Sequence, residues 1–284
     1  MRNINKIVGI GDSWTFGEGS FSLTLEEKLK MLKSEPKNIL GMSKEYSDFC
    51  SSGSWVTQLA SMYKCDYEIY AIPGCSNETI MNNVHRCVTE NIADKDTLVI
   101  VMWSSKFRDR IFALPSYEKD GTSDRWMFKS EEMILNQELW HKFIESGNPD
   151  QSLFKKFKRK FIAELFKEEI LDYYTMCYKI YSQFLLEERN IPYVMCNGFE
   201  KQIPKTSTEK DIIPYDSLNT KCYYKPNSSM MEQLIKEDNH KDLWEAEYLI
   251  AGYVNGQHPN FNGYTKIAQY LKEFIEKNDK HIFV

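Results

Sequence analysis

Ile7-Val8-Gly9-Ile10-Gly11-Asp12-Ser13 is the stretch on which the fold turns. An apolar run closed by Gly-Asp-Ser, with Thr15 and Gly17 just beyond, reads as a buried strand emptying into a tight turn. Such a turn sets Ser13 at the carboxyl edge of a sheet. Open α/β sheets gather ligands at that edge, because strands end and helices begin there. A serine hydroxyl is a weak nucleophile and needs a base within hydrogen-bond reach, for which histidine is the usual choice at neutral pH. Five histidines are available. His258 stands in Asn255-Gly256-Gln257-His258-Pro259-Asn260, a loop that enters a helical pattern with Tyr264, Ile267, Ala268, Leu271 and Ile275 on one face. A junction of that kind holds a side chain without burying it. His85 falls inside a helical pattern, His141 and His240 in polar segments and His281 close to the last residue, positions that suit structural or solvated roles.

Outward from this stretch, strands and helices alternate. Strands are expected at Ile7–Ile10, Tyr67–Ile72, Leu98–Met102 and Tyr193–Cys196. Helices are expected over Trp55–Tyr63, from a cap at Ser76 or Asn77 to about Glu90, and from Asn262 or Gly263 onward. Leu98–Met102 is apolar throughout, which suits a central strand covered on both faces. This βαβ rhythm implies a mainly parallel sheet between two helical layers, an α/β/α sandwich, in one domain over residues 1–284.

Three blocks of this order resemble those of the SGNH hydrolases, the superfamily of GDSL esterases and lipases. Gly11-Asp12-Ser13-Trp14-Thr15-Phe16-Gly17 matches the first block, Ala71-Ile72-Pro73-Gly74-Cys75-Ser76-Asn77 is similar to the second, and His258-Pro259-Asn260 with Gly263 resembles the last. The resemblance implies a flavodoxin-like α/β/α fold and a serine hydrolase with Ser13 as nucleophile and His258 as general base. It implies an oxyanion hole formed by the N–H groups of Ser13 and Gly74, and Gly74 suits that role because a residue without a side chain lets a carbonyl approach its backbone closely. Asp12 in the first block, Asn77 in the second and Arg108 after the apolar run Leu98–Met102 are expected to face the substrate.

Two positions depart from the family pattern. Where it carries an aspartate ahead of the histidine, this chain has Asn255. An amide oxygen can accept the Nδ1 hydrogen and orient the ring, yet it does not stabilise the imidazolium as a carboxylate does, and the same swap in a serine protease triad lowers turnover about ten-thousandfold. Glu245 and Glu247 are near enough in sequence to be replacement carboxylates. The third block follows Leu98–Met102 as Trp103-Ser104-Ser105-Lys106-Phe107-Arg108, without the family's oxyanion-hole asparagine. Ser104 or Ser105 can donate from a hydroxyl instead, and Arg108 can bring positive charge. Loss of one oxyanion donor costs about 3 kcal/mol.

Composition narrows the remaining classes. A formal net charge of −5 with no long single-sign block argues against a dedicated nucleic-acid binder. The seven cysteines are odd in number and scattered, with no Cys-x-x-Cys pair and no metal spacing, so most are expected to be buried thiols and no metal is expected. Cys75, between Gly74 and Ser76, is the one placed to lie in the crevice. Gly9, Gly11, Gly17 and Gly19 form neither a dinucleotide nor a P-loop pattern, so no cofactor is expected. Lys6 is followed by too few apolar residues before Asp12 for a signal peptide, and no stretch approaches the roughly 20 apolar residues of a membrane span. A soluble cytoplasmic protein with no membrane partner is the expectation, its oligomeric state left open.

Insertions interrupt the rhythm at about 18–53, 106–189 and 198–244. The first contains Leu25–Lys33, an amphipathic stretch suited to a lid over the crevice or to simple packing on its rim. The second contains Phe154, Phe157, Phe161 and Leu165 at helical spacing among lysines, a pattern of a core-facing stripe with a solvated outer face or of a basic helix that sits on a membrane or binds a phosphate-rich partner. The third carries Tyr215, Tyr223, Tyr224 and Trp244, either a groove for a sugar or acyl group or ordinary packing, and with aromatics at 14% of the chain such clusters arise by chance. Two functions fit this reading. One is an ester hydrolase acting on an O-acyl group of a sugar or small molecule; the other is a weakened or inactive domain of the same fold that binds glycans or serves in assembly.

Overall fold

The computed structural model describes residues 4–21, 43–106, 168–199, 215–237 and 258–283, isolated positions between 27 and 36, and short backbone stretches at 109–110, 127–128 and 254–255. The chain lays down β1 (Lys6–Gly11), the single-turn helix α1 (Ser13–Phe16), α2 (Lys44–Ser52), α3 (Trp55–Tyr63), β2 (Asp66–Ala71), α4 (Asn77–Thr89) and β3 (Thr97–Trp103). Then come the short pair β4 (Asp109–Arg110) and β5 (Met127–Phe128), α5 (Glu168–Glu188), β6 (Tyr193–Asn197) and α6 (Met230–Glu237). The pair β7 (Val254–Asn255) and β8 (His258–Pro259) and the long helix α7 (Phe261–Ile282) complete the order.

Four strands form one parallel sheet in the order β2-β1-β3-β6. Apolar runs without alternation mean that both faces are covered. All seven residues of β3 are buried, and β1 is buried from Ile7 onward. The edge strand β2 instead runs from exposed Asp66 and Tyr67 to buried Tyr70 and Ala71. Helix α3 packs with α7, and α4 packs with α5, so the sheet is held between two helical layers as the sequence rhythm implies. Capping agrees with composition: Ser54, Ser76 and Asn260 cap α3, α4 and α7 through their side chains.

The strand order places the site. From β1 the chain steps outward to β2, then crosses back to β3 and continues to β6, so the direction of winding reverses between the carboxyl ends of β1 and β3. A crevice opens at such a switch point. Asp12-Ser13 leaves β1 there and Ser104-Ser105 leaves β3 there.

The stretch 106–189 ends in a structural element of the sandwich, since α5 is the crossover helix between β3 and β6. Tyr223 and Tyr224 are only 3% and 6% exposed and belong to the main core, with the Tyr223 hydroxyl donating to Asn197 Oδ1 at 2.6 Å; they are packing residues, not groove walls. Most of Leu25–Lys33, the Phe154–Leu165 stripe, His141, His240, Trp244 and the Tyr215 side chain lie outside the described residues. All seven cysteines are free thiols. Burial pushes the Cys87 thiol up to about 12 and Cys222 to about 11, which keeps them protonated and unreactive near neutral pH. Among the described residues no helix is long and apolar enough to cross a membrane.

Gly9 explains how closely α3 approaches the sheet: a Cβ built there would collide with the Val56 side chain. Gly9→Ala is therefore expected to cost about 1–3 kcal/mol in urea unfolding, as overpacking does. Val56→Ala in the same chain should return part of that loss, and an unchanged unfolding midpoint for Gly9→Ala would contradict the close approach.

Candidate active site

Ser13 is the first residue of α1 and leaves β1 after a single intervening residue, Asp12. Asp12 caps the helix by accepting from the Trp14 N–H at 3.0 Å, the usual duty of an aspartate at that position. Gly17 ends the turn in a left-handed conformation, its N–H donating to Ser13 O at 3.1 Å. So short a helix fixes Ser13 directly above the end of its strand.

His258 arrives from the far end of the chain on the β7–β8 hairpin, where Asn255 is its register partner. Asn260 Oδ1 accepts from the Gly263 N–H at 3.0 Å and starts α7 immediately after it. The ring then lies with Nε2 3.0 Å from Ser13 Oγ. Gly19 makes this approach possible: it has φ +85°, and a Cβ there would stand 2.6 Å from His258 Cβ. Only a glycine accepts both conditions without strain.

A second carboxylate stands beside the pair. Glu18 Oε2 is 3.6 Å from His258 Nε2, and Glu18 Oε1 accepts from the Tyr46 hydroxyl at 3.2 Å. Its backbone is held as well, with the N–H donating to Ser13 O at 3.0 Å and the carbonyl accepting from the Tyr264 hydroxyl at 2.8 Å. Burial, before the neighbouring charges, pushes both phenols well above their usual range, so they act here as neutral hydroxyls. The sequence reading treats Glu18 only as the start of an insertion. Its bracketing by Gly17 and Gly19, two residues that permit tight backbone packing, was the available signal.

The second block forms a turn at the same edge. Cys75 N–H donates to Ile72 O at 3.1 Å, and Gly74 has φ +74°, the signature of a type II turn with proline then glycine at its centre. Cys75 is fully buried and its thiol donates to Gly11 O at 3.3 Å, tying the turn to the end of β1; this is packing and anchoring.

Three blocks meet at Ser104. Its hydroxyl donates to Asp12 Oδ2 at 2.7 Å and its N–H to Asn77 Oδ1 at 2.8 Å, while Asn77 Nδ2 donates back to Ser104 O at 3.2 Å. All three side chains are buried. Asp12 and Asn77 thus turn inward onto the β3 exit, where the sequence reading expects them to face the substrate, and the Ser104 hydroxyl serves Asp12 where it is expected to serve an oxyanion. The reason is one of polar satisfaction, since a buried carboxylate and amide need partners and Ser104 supplies them. Arg108, Glu245, Glu247 and the Asn255 side chain lie outside the described residues. Beyond Ser105, the Lys106 ammonium contacts both Asp172 oxygens at 2.9 Å, a buried ion pair that pins the β3 exit to α5.

No family model matches the sequence, and no curated protein matches it. Among solved structures the chain is similar to a member of the lipolytic G-D-S-L protein family from Veillonella parvula DSM 2008, at 14% identity over 94% of this chain and 96% of that one, with a TM-score of 0.37. It is similar to a lipase from a goat rumen metagenome at 12% identity over 95% and 97% of the two chains, with a TM-score of 0.41. An acetyl xylan esterase from the rumen bacterium Butyrivibrio proteoclasticus gives 10% identity over 97% of this chain and 64% of that one, with a TM-score of 0.41.

Removing one partner of a buried ion pair strands the other charge, at a cost of about 3–5 kcal/mol. Lys106→Met is expected to lose about that much in thermal or denaturant unfolding. The double variant Lys106→Met, Asp172→Leu should recover most of it, and equal losses for the single and double variants would show that the pair is not what anchors the β3 exit.

Proposed function

We propose that the protein is a serine hydrolase that cleaves an ester, with Ser13 as nucleophile and His258 as general base. The 3.0 Å contact between Ser13 Oγ and His258 Nε2, made across 245 residues of chain, carries this reading. Hydrogen-bond distance between nucleophile and base is the geometric signature of an activated serine. With its proton on Nδ1, the ring accepts the hydroxyl proton at Nε2 as Oγ bonds to the acyl carbon. The carbonyl oxygen takes up the negative charge and, in this reading, is held by the backbone N–H groups of Ser13 and Gly74. His258 then returns the proton to the leaving alkoxide, and a water activated in the same way releases the acyl group from Ser13. Neither step asks for a cofactor. O-acyl groups on sugars or other small esters fit a site of this kind at an open sheet edge.

The engagement of the Ser104 hydroxyl with Asp12 favours a second reading. With that donor occupied and Asn255 in place of a carboxylate, the same sheet edge would bind an acylated glycan and turn it over slowly or not at all.

A fluorophosphonate probe separates the two readings, because labelling needs a nucleophilic serine and a working oxyanion hole. The hydrolase is expected to label at Ser13 and to lose hydrolysis of a short acyl ester completely on Ser13→Ala. His258→Ala should slow it by about a hundred- to ten-thousandfold, the usual worth of a general base. Full activity in Ser13→Ala would end the hydrolase reading, and well-folded protein that takes no label would favour the binder.

A further inference from the structure

We infer that Glu18 is the charged partner of His258, a carboxylate on the nucleophile's side of the ring that favours the imidazolium formed when His258 takes the Ser13 proton. This rests on the hydrolase reading and adds to it a positioning residue, one that acts through His258 and not on the substrate.

The distance sets the kind of interaction. At 3.6 Å, Glu18 Oε2 is too far from Nε2 for a good hydrogen bond and close enough for an ion pair. Nε2 therefore keeps its bond to Ser13 Oγ while the carboxylate raises the basicity of the nitrogen that receives the proton. The proton passes from Ser13 Oγ to Nε2 and on to the leaving oxygen, and Glu18 stays ionised throughout. A carboxylate at Nδ1 would fix the tautomer as well as stabilise the cation; Glu18 supplies the second effect, which Asn255 lacks.

The placement is built. Tyr46 holds Oε1, Tyr264 holds the carbonyl, and the Glu18 N–H is bonded to Ser13 O, so the residue is fixed to α2, α7 and the nucleophile turn at once. The side chains of Glu18 and His258 are 21% and 28% exposed, which shields their attraction from salt better than a surface pair. The described groups around them are Asp12 ahead of α1, Tyr46 and Cys50 from α2, and Tyr264 from α7. Asp12 is bonded to Trp14 and Ser104. The two phenols stay neutral, so the described carboxylates here are those of Asp12 and Glu18, and the Glu18 contact with the ring becomes an ion pair when His258 takes up its proton.

An opposite charge at this range shifts a titration by about one unit or more, in the direction that favours the charged form. For an imidazole beside a carboxylate the shift is upward. Imidazole titration by NMR on the full chain, with the His258 signal assigned from a His258→Asn variant, reads it without requiring turnover. Glu18→Gln keeps an oxygen for the Tyr46 hydroxyl and removes the charge. Its His258 midpoint is expected to fall by about one pH unit, while Glu18→Asp, which keeps the charge in range, should retain most of the wild-type value. In an active enzyme the acidic limb of the kcat/KM profile, which needs neutral His258, should move down by the same amount in Glu18→Gln, and the plateau should drop about tenfold. An unchanged midpoint in folded Glu18→Gln overturns the inference while leaving Ser13 and His258 as they are. Activity surviving in Ser13→Ala would overturn the hydrolase reading instead.

Discussion

Strand β1 is paired along both edges and packed on both faces, and at Gly9 helix α3 comes so near that no side chain fits between them. Interiors packed this densely do not yield continuously to small displacements. Whatever β1 carries at its carboxyl end is therefore held with the rigidity of the core, and what it carries is Asp12-Ser13. The one-turn helix that follows passes this rigidity directly to the Ser13 hydroxyl. His258 meets that hydroxyl from the other end of the chain, through a hairpin seated on Gly19 and a helix capped by Asn260.

Two carboxylates flank Ser13 in sequence and their surroundings give them opposite duties. Asp12 is buried and bonded to the Trp14 N–H and the Ser104 hydroxyl, which links the exits of β1 and β3 across the switch point. Asn77 completes the link by clasping the Ser104 backbone. Glu18 is part-exposed and turned toward the imidazole. Buried polar networks of the first kind rigidify a site because every member must stay satisfied. A carboxylate of the second kind acts on the charge of its neighbour.

Much of the fold was legible because burial on both faces leaves a plain mark. Ile7–Ile10 and Leu98–Met102 are continuous apolar runs, and they became the two central strands. Serine ahead of an apolar period marked the start of α4 at Ser76, whereas α7 begins at Phe261 behind an Asn260 cap, just ahead of the Asn262 or Gly263 start expected from sequence. The pairing of Ser13 with His258 was legible only as motif order, since no local pattern encodes a contact between residues so far apart. Side-chain direction was the part that composition could not supply. Asp12, Asn77 and Ser104 are polar residues at a crevice, and whether such a residue faces ligand or backbone depends on which buried groups need partners nearby. Glu18 escaped notice for the converse reason: its importance comes from two flanking glycines and two distant tyrosines, none of which forms a periodic pattern.

The Lys106–Asp172 pair differs from the helix-surface ion pairs among the described residues in being out of reach of dissolved ions. Lys44–Asp48, Arg86–Glu90 and Lys272–Glu276 sit along helix surfaces, one turn apart, where counterions screen them within a few ångströms. In a concentrated electrolyte those three fade, and with them the small helix-by-helix gains they bring. The tie between the β3 exit and α5 does not, so brine leaves the mouth of the crevice braced even as it strips the ornament from the helices around it.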